Sequence, residues 1–320
     1  MSHAPTPPVP PAAGVRLRWP QLPESVRAAV ARILGSPVVE ADSQAGGFSP
    51  GTADRVVTAA GRRAFVKAVS GRLNAHSLRL HRTEARVAAA LPPTVPAPRL
   101  LGSHDDSDWI ALVFEDVAGR PPALPWVEEE LRAVLHALRQ LAQPVTGLRP
   151  ARETLARDLD GWALVRADPP LGLDPWAREN LEGLVDLADR GKAALAGEHL
   201  VHLDLRADNL LLRADGTVCV VDWPYASMGP PWVDTLCLLL NVRLHGGPAD
   251  DSPLDHFRPD PRDVTAVLAG LGGFFTHHAR LAPPPGLPTL RAFQQAQADL
   301  ILPWLRVRLE GEGFPPAARS

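Results

Sequence analysis

Between residues 199 and 223 the sequence, HLVHLDLRADNLLLRADGTVCVVDW, leaves the chain little freedom of fold. Two short apolar runs, 210–212 and 218–221, flank Asp215-Gly216, a dipeptide suited to the tight turn of a β-hairpin. A hairpin closed at that turn brings Asn209 and Asp222 together at its open end. His202, Asp204 and Asn209 make an H-x-D-x-x-x-x-N array running into the hairpin. A carboxylate on a short loop can accept a hydrogen bond from an attacking hydroxyl. An amide and a second carboxylate across a hairpin can hold Mg²⁺ on nucleotide phosphates. The spacing therefore suits phosphoryl transfer to a hydroxyl.

The rest of the 320 residues divide into a β-rich third and a helical remainder. Residues 1–14 are Pro-rich and read as a disordered or extended tail. A short helix with Pro23 near its start follows. Residues 38–39, 55–59 and 64–69 read as strands, with Gly61 turning between the last two. Helical spacing returns over 77–91 and stops at Pro92-Pro93; 99–102 and 109–114 read as two more strands. Beyond Gly119-Arg120-Pro121-Pro122 helices are predicted over 126–142, 151–165, 175–195, 231–244, 262–281 and 289–309. One β island, 199–203 with 210–212 and 218–221, interrupts them. The plan is α+β and bilobal: a small sheet lobe with one main helix over 15–116, a larger mostly helical lobe over 117–320, and a cleft between.

The array His202-Leu203-Asp204…Asn209, followed by a strand ending in Asp222-Trp223, resembles the catalytic and metal loops of the protein-kinase-like superfamily. It is most similar to the aminoglycoside-phosphotransferase family, which usually shows H-G-D-x-x-x-x-N and then Asp-Trp or a similar pair. Leu203 stands in place of the family's glycine, a departure expected to be modest because that glycine supplies no chemistry. The resemblance covers about residues 36 to 310. It implies ATP or GTP as donor, Mg²⁺, and a small-molecule hydroxyl acceptor such as an aminoglycoside or another amino alcohol or sugar.

The same resemblance gives roles to further residues. Asp204 orients the hydroxyl and takes its proton, His202 braces the loop, and Asn209 and Asp222 hold the metal. Gly46, Gly47, Ser49 and Gly51 belong to a nucleotide loop, although Pro50 lacks an N–H and thins that cradle. Lys67 is one of only two lysines and lies inside an apolar strand, as an ammonium reaching the α- and β-phosphates would. Glu84 on the following helix pairs with it. The Glu115 carbonyl and the Val117 N–H meet adenine, with Phe114 behind. Asp234 supports the catalytic loop from the start of a helix. Arg206 either stabilises charge on the transferring phosphate or pairs with a nearby acid.

Composition removes several other classes. A net charge of −3 gives no polybasic footprint for nucleic acid or an anionic membrane, and no apolar run is long enough to span a bilayer. Cys219 and Cys237 sit in apolar runs and read as buried free thiols of a cytoplasmic protein, with no secretory signal expected. H-E-x-x-H and the P-loop signature are both missing. Gly47-Phe48-Ser49-Pro50-Gly51 matches G-x-S-x-G, but a serine hydrolase needs an N–H where Pro50 stands and a helix afterwards. A protein kinase lacks its H-R-D arginine, D-F-G phenylalanine and A-P-E segment here. A nucleotide-binding pseudokinase would have lost one of Lys67, Asp204, Asn209 or Asp222. Oligomeric state is left open.

Overall fold

Period-two alternation sorts the small lobe into two faces. In this computed structural model, which describes residues 9–11, 14–44 and 46–313, most of the expected tail over 1–14 lies outside the described residues. Helix α1 (Glu24–Leu34) ends at Gly35, whose φ of 74° supplies the left-handed turn that closes it. Strands β1 (Val38–Ser43), β2 (Thr52–Thr58) and β3 (Arg63–Ser70) follow, then α2 (Ala75–Ala90), β4 (Leu100–Asp105) and β5 (Trp109–Glu115). The five strands form one antiparallel sheet in the order β1-β2-β3-β5-β4. Ala64, Val66 and Ala68 of β3, with Ala111 and Val113 of β5, pack against α1. Val69, Ile110, Leu112 and Phe114 face the other way, towards Leu78 of α2. Lys67 pairs with Leu112 and so shares the α2 face.

The segment that connects the lobes is pinned to the second lobe by a single antiparallel β-bridge. Arg120 exchanges backbone hydrogen bonds of 3.0 and 2.7 Å with Leu212. Gly119 permits this, since a Cβ there would lie 3.1 Å from the Leu212 carbonyl oxygen.

The second lobe contains α3 (Glu128–Leu141), α4 (Ala151–Thr154), α5 (Gly161–Ala167), α6 (Pro175–Glu179) and α7 (Leu181–Ala194). Four short strands come next: β6 (His199–Val201), β7 (Leu210–Leu212), β8 (Val218–Val220) and β9 (Ser227–Gly229). Helices α8 (Val233–Leu244), α9 (Pro261–Ala279) and α10 (Leu290–Gly311) complete it. The helix expected over 151–165 is corrected to α4, a 3-10 turn at Asp158–Asp160 and α5. Close helix packing explains the break. A Cβ on Gly161 would sit 2.1 Å from the Gly273 backbone of α9, and Trp162 reaches across to donate to the Ala269 carbonyl at 2.7 Å. The helix expected over 175–195 likewise divides at Asn180 into α6 and α7. The β island is two ribbons, β7 with β8 and β6 with the unforeseen β9. Cys219 and Cys237 are free, the first buried and the second partly so. Among the described residues no helix is long and apolar enough to cross a membrane.

Candidate active site

The β7–β8 hairpin does what its turn residues imply. Leu210 pairs with Val220, and the Val221 N–H donates to the Asn209 carbonyl at 2.9 Å, so Asn209 and Asp222 emerge side by side. The Asn209 amide nitrogen donates to the Asp204 carbonyl (2.9 Å) and to Asp204 Oδ2 (3.1 Å), so the amide oxygen is turned away from Asp204. Asp222 adopts a left-handed φ of 69° that sends its carboxylate to Lys67. Lys67 Nζ donates to Asp222 Oδ1 at 2.8 Å and to Glu84 Oε1 on α2 at 2.7 Å. Three elements distant in sequence thus meet at one ammonium. Burial disfavours that ammonium, but Asp222 and Glu84 outweigh it and hold its pKa above the ordinary lysine value. Burial also works against the Asp222 anion, yet Lys67 keeps its carboxyl well below the usual range. Phe114 lies behind, its ring centroid 5.8 Å from Lys67 Nζ.

Asp204 has a different environment. Burial, aided by the Asp222 and Asp208 charges, pushes its pKa up to about 7, against the pull of Arg206 and the Asn209 hydrogen bond. His202 is fully buried, and burial lowers its pKa to about 4, so the ring is neutral. Its Nδ1 accepts the Asp204 N–H at 3.2 Å, which leaves the proton on Nε2 to donate to the Val221 carbonyl at 3.0 Å. It ties the Asp204 loop to the end of β8, and its ring sits edge-on to Trp223 at 4.7 Å. Asp234, at the start of α8, accepts from the His202 N–H (2.7 Å) and the Leu203 N–H (2.8 Å). Those bonds hold Leu203 at a φ of 66°, a conformation that suits glycine. The expectation that Leu203 is a modest departure is therefore corrected: a glycine there serves the backbone.

The glycine loop closes onto the second lobe. Phe48 stacks against Phe293 of α10 with centroids 4.9 Å apart, and the Arg206 guanidinium lies 5.3 and 5.8 Å from the two rings. Arg206 also donates to Asp208 at 3.0 and 3.1 Å and stands 3.6 Å from Asp204. Gly46, Gly47 and Gly51 have φ values of 96°, 79° and 113°. Gly51 gives its own N–H to the Val15 carbonyl, and a Cβ on it would lie 2.3 Å from the Ala68 carbonyl oxygen. Its contribution is close passage over β3 and not an N–H for phosphate. The loop runs into β2, not a helix, so the serine-hydrolase elbow is absent. Glu115 ends β5 with its N–H on the Arg99 carbonyl, and the Val117 carbonyl accepts from Arg55 at 3.3 Å, which places both at the link between lobes.

Three residues that no motif signalled also lie here. Asp158, in the 3-10 turn before α5, has its pKa raised to about 6 by burial. Tyr225 is half-buried, and its phenol is raised by burial and then by the Asp204, Asp158 and Asp222 charges, so these acids surround one region. Arg16 donates to the Ser49 carbonyl at 2.7 Å and to the Gly46 carbonyl. Each stands among ordinary neighbours in sequence, and only the folded chain brings it to the site. Asn209 and Asp222 together offer one neutral and one anionic oxygen, a set that fits Mg²⁺ when phosphates and water complete its shell. Among the described residues no cluster of three or more His, Cys, Asp or Glu groups forms an all-protein metal cage.

A bilobal fold with a lysine–glutamate pair under a five-stranded sheet and a braced aspartate loop in the helical lobe defines the kinase-like class. The sequence profile of the Phosphotransferase enzyme family matches residues 45–268, and the chain belongs to that family. Solved structures agree on the fold. A thermostable mutant of aminoglycoside phosphotransferase APH(4)-Ia, in a ternary complex with AMP-PNP and hygromycin B, is 16% identical, with 89% of this chain and 98% of that chain covered and a TM-score of 0.60. Choline kinase LicA from Streptococcus pneumoniae is 11% identical over 91% of this chain and 98% of that one, with a TM-score of 0.57. An aminoglycoside phosphotransferase from Alicyclobacillus acidocaldarius is 19% identical over 92% and 98%, with a TM-score of 0.50. No curated protein matches the chain by sequence.

Proposed function

We infer that the protein transfers the γ-phosphate of ATP or GTP to a hydroxyl of a small molecule that carries an amine, such as an aminoglycoside or another amino alcohol or aminosugar. The observation that carries this reading is the separation of two carboxylates by environment. Asp222 is kept anionic by Lys67, whereas Asp204 is poised near neutrality at the mouth of the same hairpin. Lys67, set by Glu84, meets the phosphates, and Gly46, Gly47 and Ser49 cover them. The Glu115 carbonyl and Val117 N–H take the base. Asn209 and Asp222 would hold Mg²⁺, which would neutralise phosphate charge when bound. Asp204 accepts the hydrogen bond of the acceptor hydroxyl and then its proton as the new oxygen–phosphorus bond forms, the bond from the γ-phosphorus to the bridging oxygen breaks and the nucleoside diphosphate leaves. Arg206 lies beside that aspartate and offsets charge there. The Asp158 carboxylate makes no hydrogen bond or ion pair among the described residues and shares a field with Asp204 at Tyr225, which suits an ammonium on the acceptor. The fold is shared with APH(4)-Ia, solved with hygromycin B, and with choline kinase LicA.

A nucleotide-consumption screen against hydroxyl-bearing antibiotics and metabolites tests this reading. Turnover with amino alcohols or aminosugars is expected, and robust labelling of polypeptides in their place refutes it. In the responding assay Asp204→Asn should lower turnover by roughly 10²-fold or more while triphosphate affinity holds. Asp222→Asn should abolish the magnesium dependence of binding. Asp158→Asn should raise KM for charged acceptors and leave neutral polyols unaffected. Reversed effects of the first two substitutions would contradict the assigned roles.

A further inference from the structure

The segment Gly14 to Leu17 is threaded between the lobes. The Val15 N–H donates to the Gly286 carbonyl in the α9–α10 connection at 2.8 Å, its carbonyl accepts from Gly51, and the Leu17 N–H donates to the Gly51 carbonyl at 3.0 Å. There is no room to spare at this crossing. A Cβ on Gly14 would lie 2.9 Å from the Ser49 carbonyl oxygen, and one on Gly286 would lie 2.9 Å from Pro50. The strap carries Arg16 to the glycine loop. Its guanidinium takes the carbonyls of Gly46 and Ser49, and a Cβ on Gly47 would approach one of its terminal nitrogens at 3.0 Å.

Loop polarity makes this arrangement informative. A peptide carbonyl and the N–H of the same peptide plane point in opposite directions. The Gly46 carbonyl aimed at Arg16 therefore turns the Gly47 N–H away from it. Pro50 has no N–H, and Gly51 has committed its own to Val15. On the Arg16 side the loop offers carbonyl oxygens, which repel phosphate unless a cation covers them. A guanidinium has five N–H donors, and only two are engaged by these carbonyls. Among the described residues its Nε–H and the neighbouring Ser49 hydroxyl are both buried without a hydrogen-bond partner. A buried donor and hydroxyl in that state can take phosphate oxygens as partners. The position also lies in the field of Asp222, whose charge offsets part of the burial penalty on Arg16.

We propose that Arg16 is a second phosphate-binding cation of this site, delivered by the N-terminal strap and reading the polyphosphate of a nucleoside triphosphate alongside Lys67. Arg16 turns a carbonyl-lined loop into a positive one and replaces the N–H cradle that Pro50 and Gly51 cannot provide. Its orphaned donor and the Ser49 hydroxyl become satisfied when phosphate oxygens arrive. The proposal rests on the phosphotransferase reading above, and the experiment separates the two.

Affinities of the full chain for AMP-PNP·Mg²⁺, GMP-PNP·Mg²⁺, adenosine and guanosine are measured by calorimetry for the parent, Arg16→Ala, Arg16→Gln, Arg16→Lys and Lys67→Ala. Arg16→Gln keeps an amide to bond the Gly46 and Ser49 carbonyls, so it preserves the strap if the alanine does not. Arg16→Ala and Arg16→Gln are expected to weaken the triphosphate analogue by roughly 10- to 100-fold, the worth of a charge-assisted contact, and to leave the nucleoside unchanged. Arg16→Lys should recover part of the loss. Equal weakening of nucleoside and triphosphate in Arg16→Gln would make Arg16 a structural strap residue and overturn the proposal. So would unchanged triphosphate binding in Arg16→Gln while Lys67→Ala loses it. A parent protein that binds no triphosphate overturns the phosphotransferase reading itself, and the Arg16 proposal with it.

Discussion

Asp204 shows how far one residue's chemistry departs from its letter in the sequence. An aspartate in water titrates near 4, whereas here burial and two neighbouring acids move it to about 7. Only the deprotonated form accepts a proton, so kcat/KM should fall about tenfold per pH unit below pH 7 and level off above it. Arg206 stabilises the anion from 3.6 Å, so Arg206→Gln should raise the pKa and move the acid limb to higher pH. A pH–rate profile checks both, and a limb that stays in place or moves to lower pH would deny the role of Arg206. Leu203 teaches the same lesson about the backbone. Its left-handed φ costs roughly 1–2 kcal/mol in an ordinary residue, and the two Asp234 bonds with burial of the leucine side chain offset it. The motif pattern named His202, Asp204, Asn209 and Asp222, but no pattern states the strain at the residue between them.

At the scale of elements, contact between backbones overrode helical periodicity. Residues 151–165 carry a plausible helical pattern, yet Gly161 and Gly273 bring α5 and α9 together so closely that the chain breaks before Gly161. Gly161→Ala should therefore destabilise the protein by about 3 kcal/mol, since backbone and not a flexible side chain blocks the added methyl. Gly172→Ala, with open space around it, should change stability by under about 0.5 kcal/mol. Chemical denaturation of both variants measures the contrast, and equal midpoints would show that the crossing can relax. The hairpin at 210–220 was legible because a DG turn with flanking apolar runs is a local device. Strand β9 was not, because Ser227–Gly229 has little strand character and exists only through pairing with β6.

Across the whole molecule, the two lobes are joined by more than their covalent link. Phe48 reaches Phe293, Arg206 covers both rings, and Val15 bonds Gly286. Phe48→Ala should leave folding stability within about 1 kcal/mol, because the ring is only half-buried and its stacking is worth that much. The loop should lose its hold on the second lobe, so KM for the triphosphate should rise roughly 5- to 10-fold with KM for the acceptor little changed. Steady-state kinetics with each substrate varied in turn decide this. A rise in the acceptor KM alone would mean that the loop serves the acceptor.

What the sequence determined by itself was local or periodic: the DG turn, the polar array beside it, the period-two strands that put Lys67 on one face, and the proline and glycine stops. Such features act over a few residues, and each leaves a mark that can be read without the fold. Tertiary structure alone decided which groups share a field. Lys67, Glu84 and Asp222 lie 17 and 155 residues apart along the chain from that lysine, yet one ammonium bonds both acids. Asp158, Tyr225 and Arg16 carry no motif, and their chemistry arises from burial and from charges brought alongside them. Desolvation and Coulomb energy depend on distance in space, which sequence order does not record.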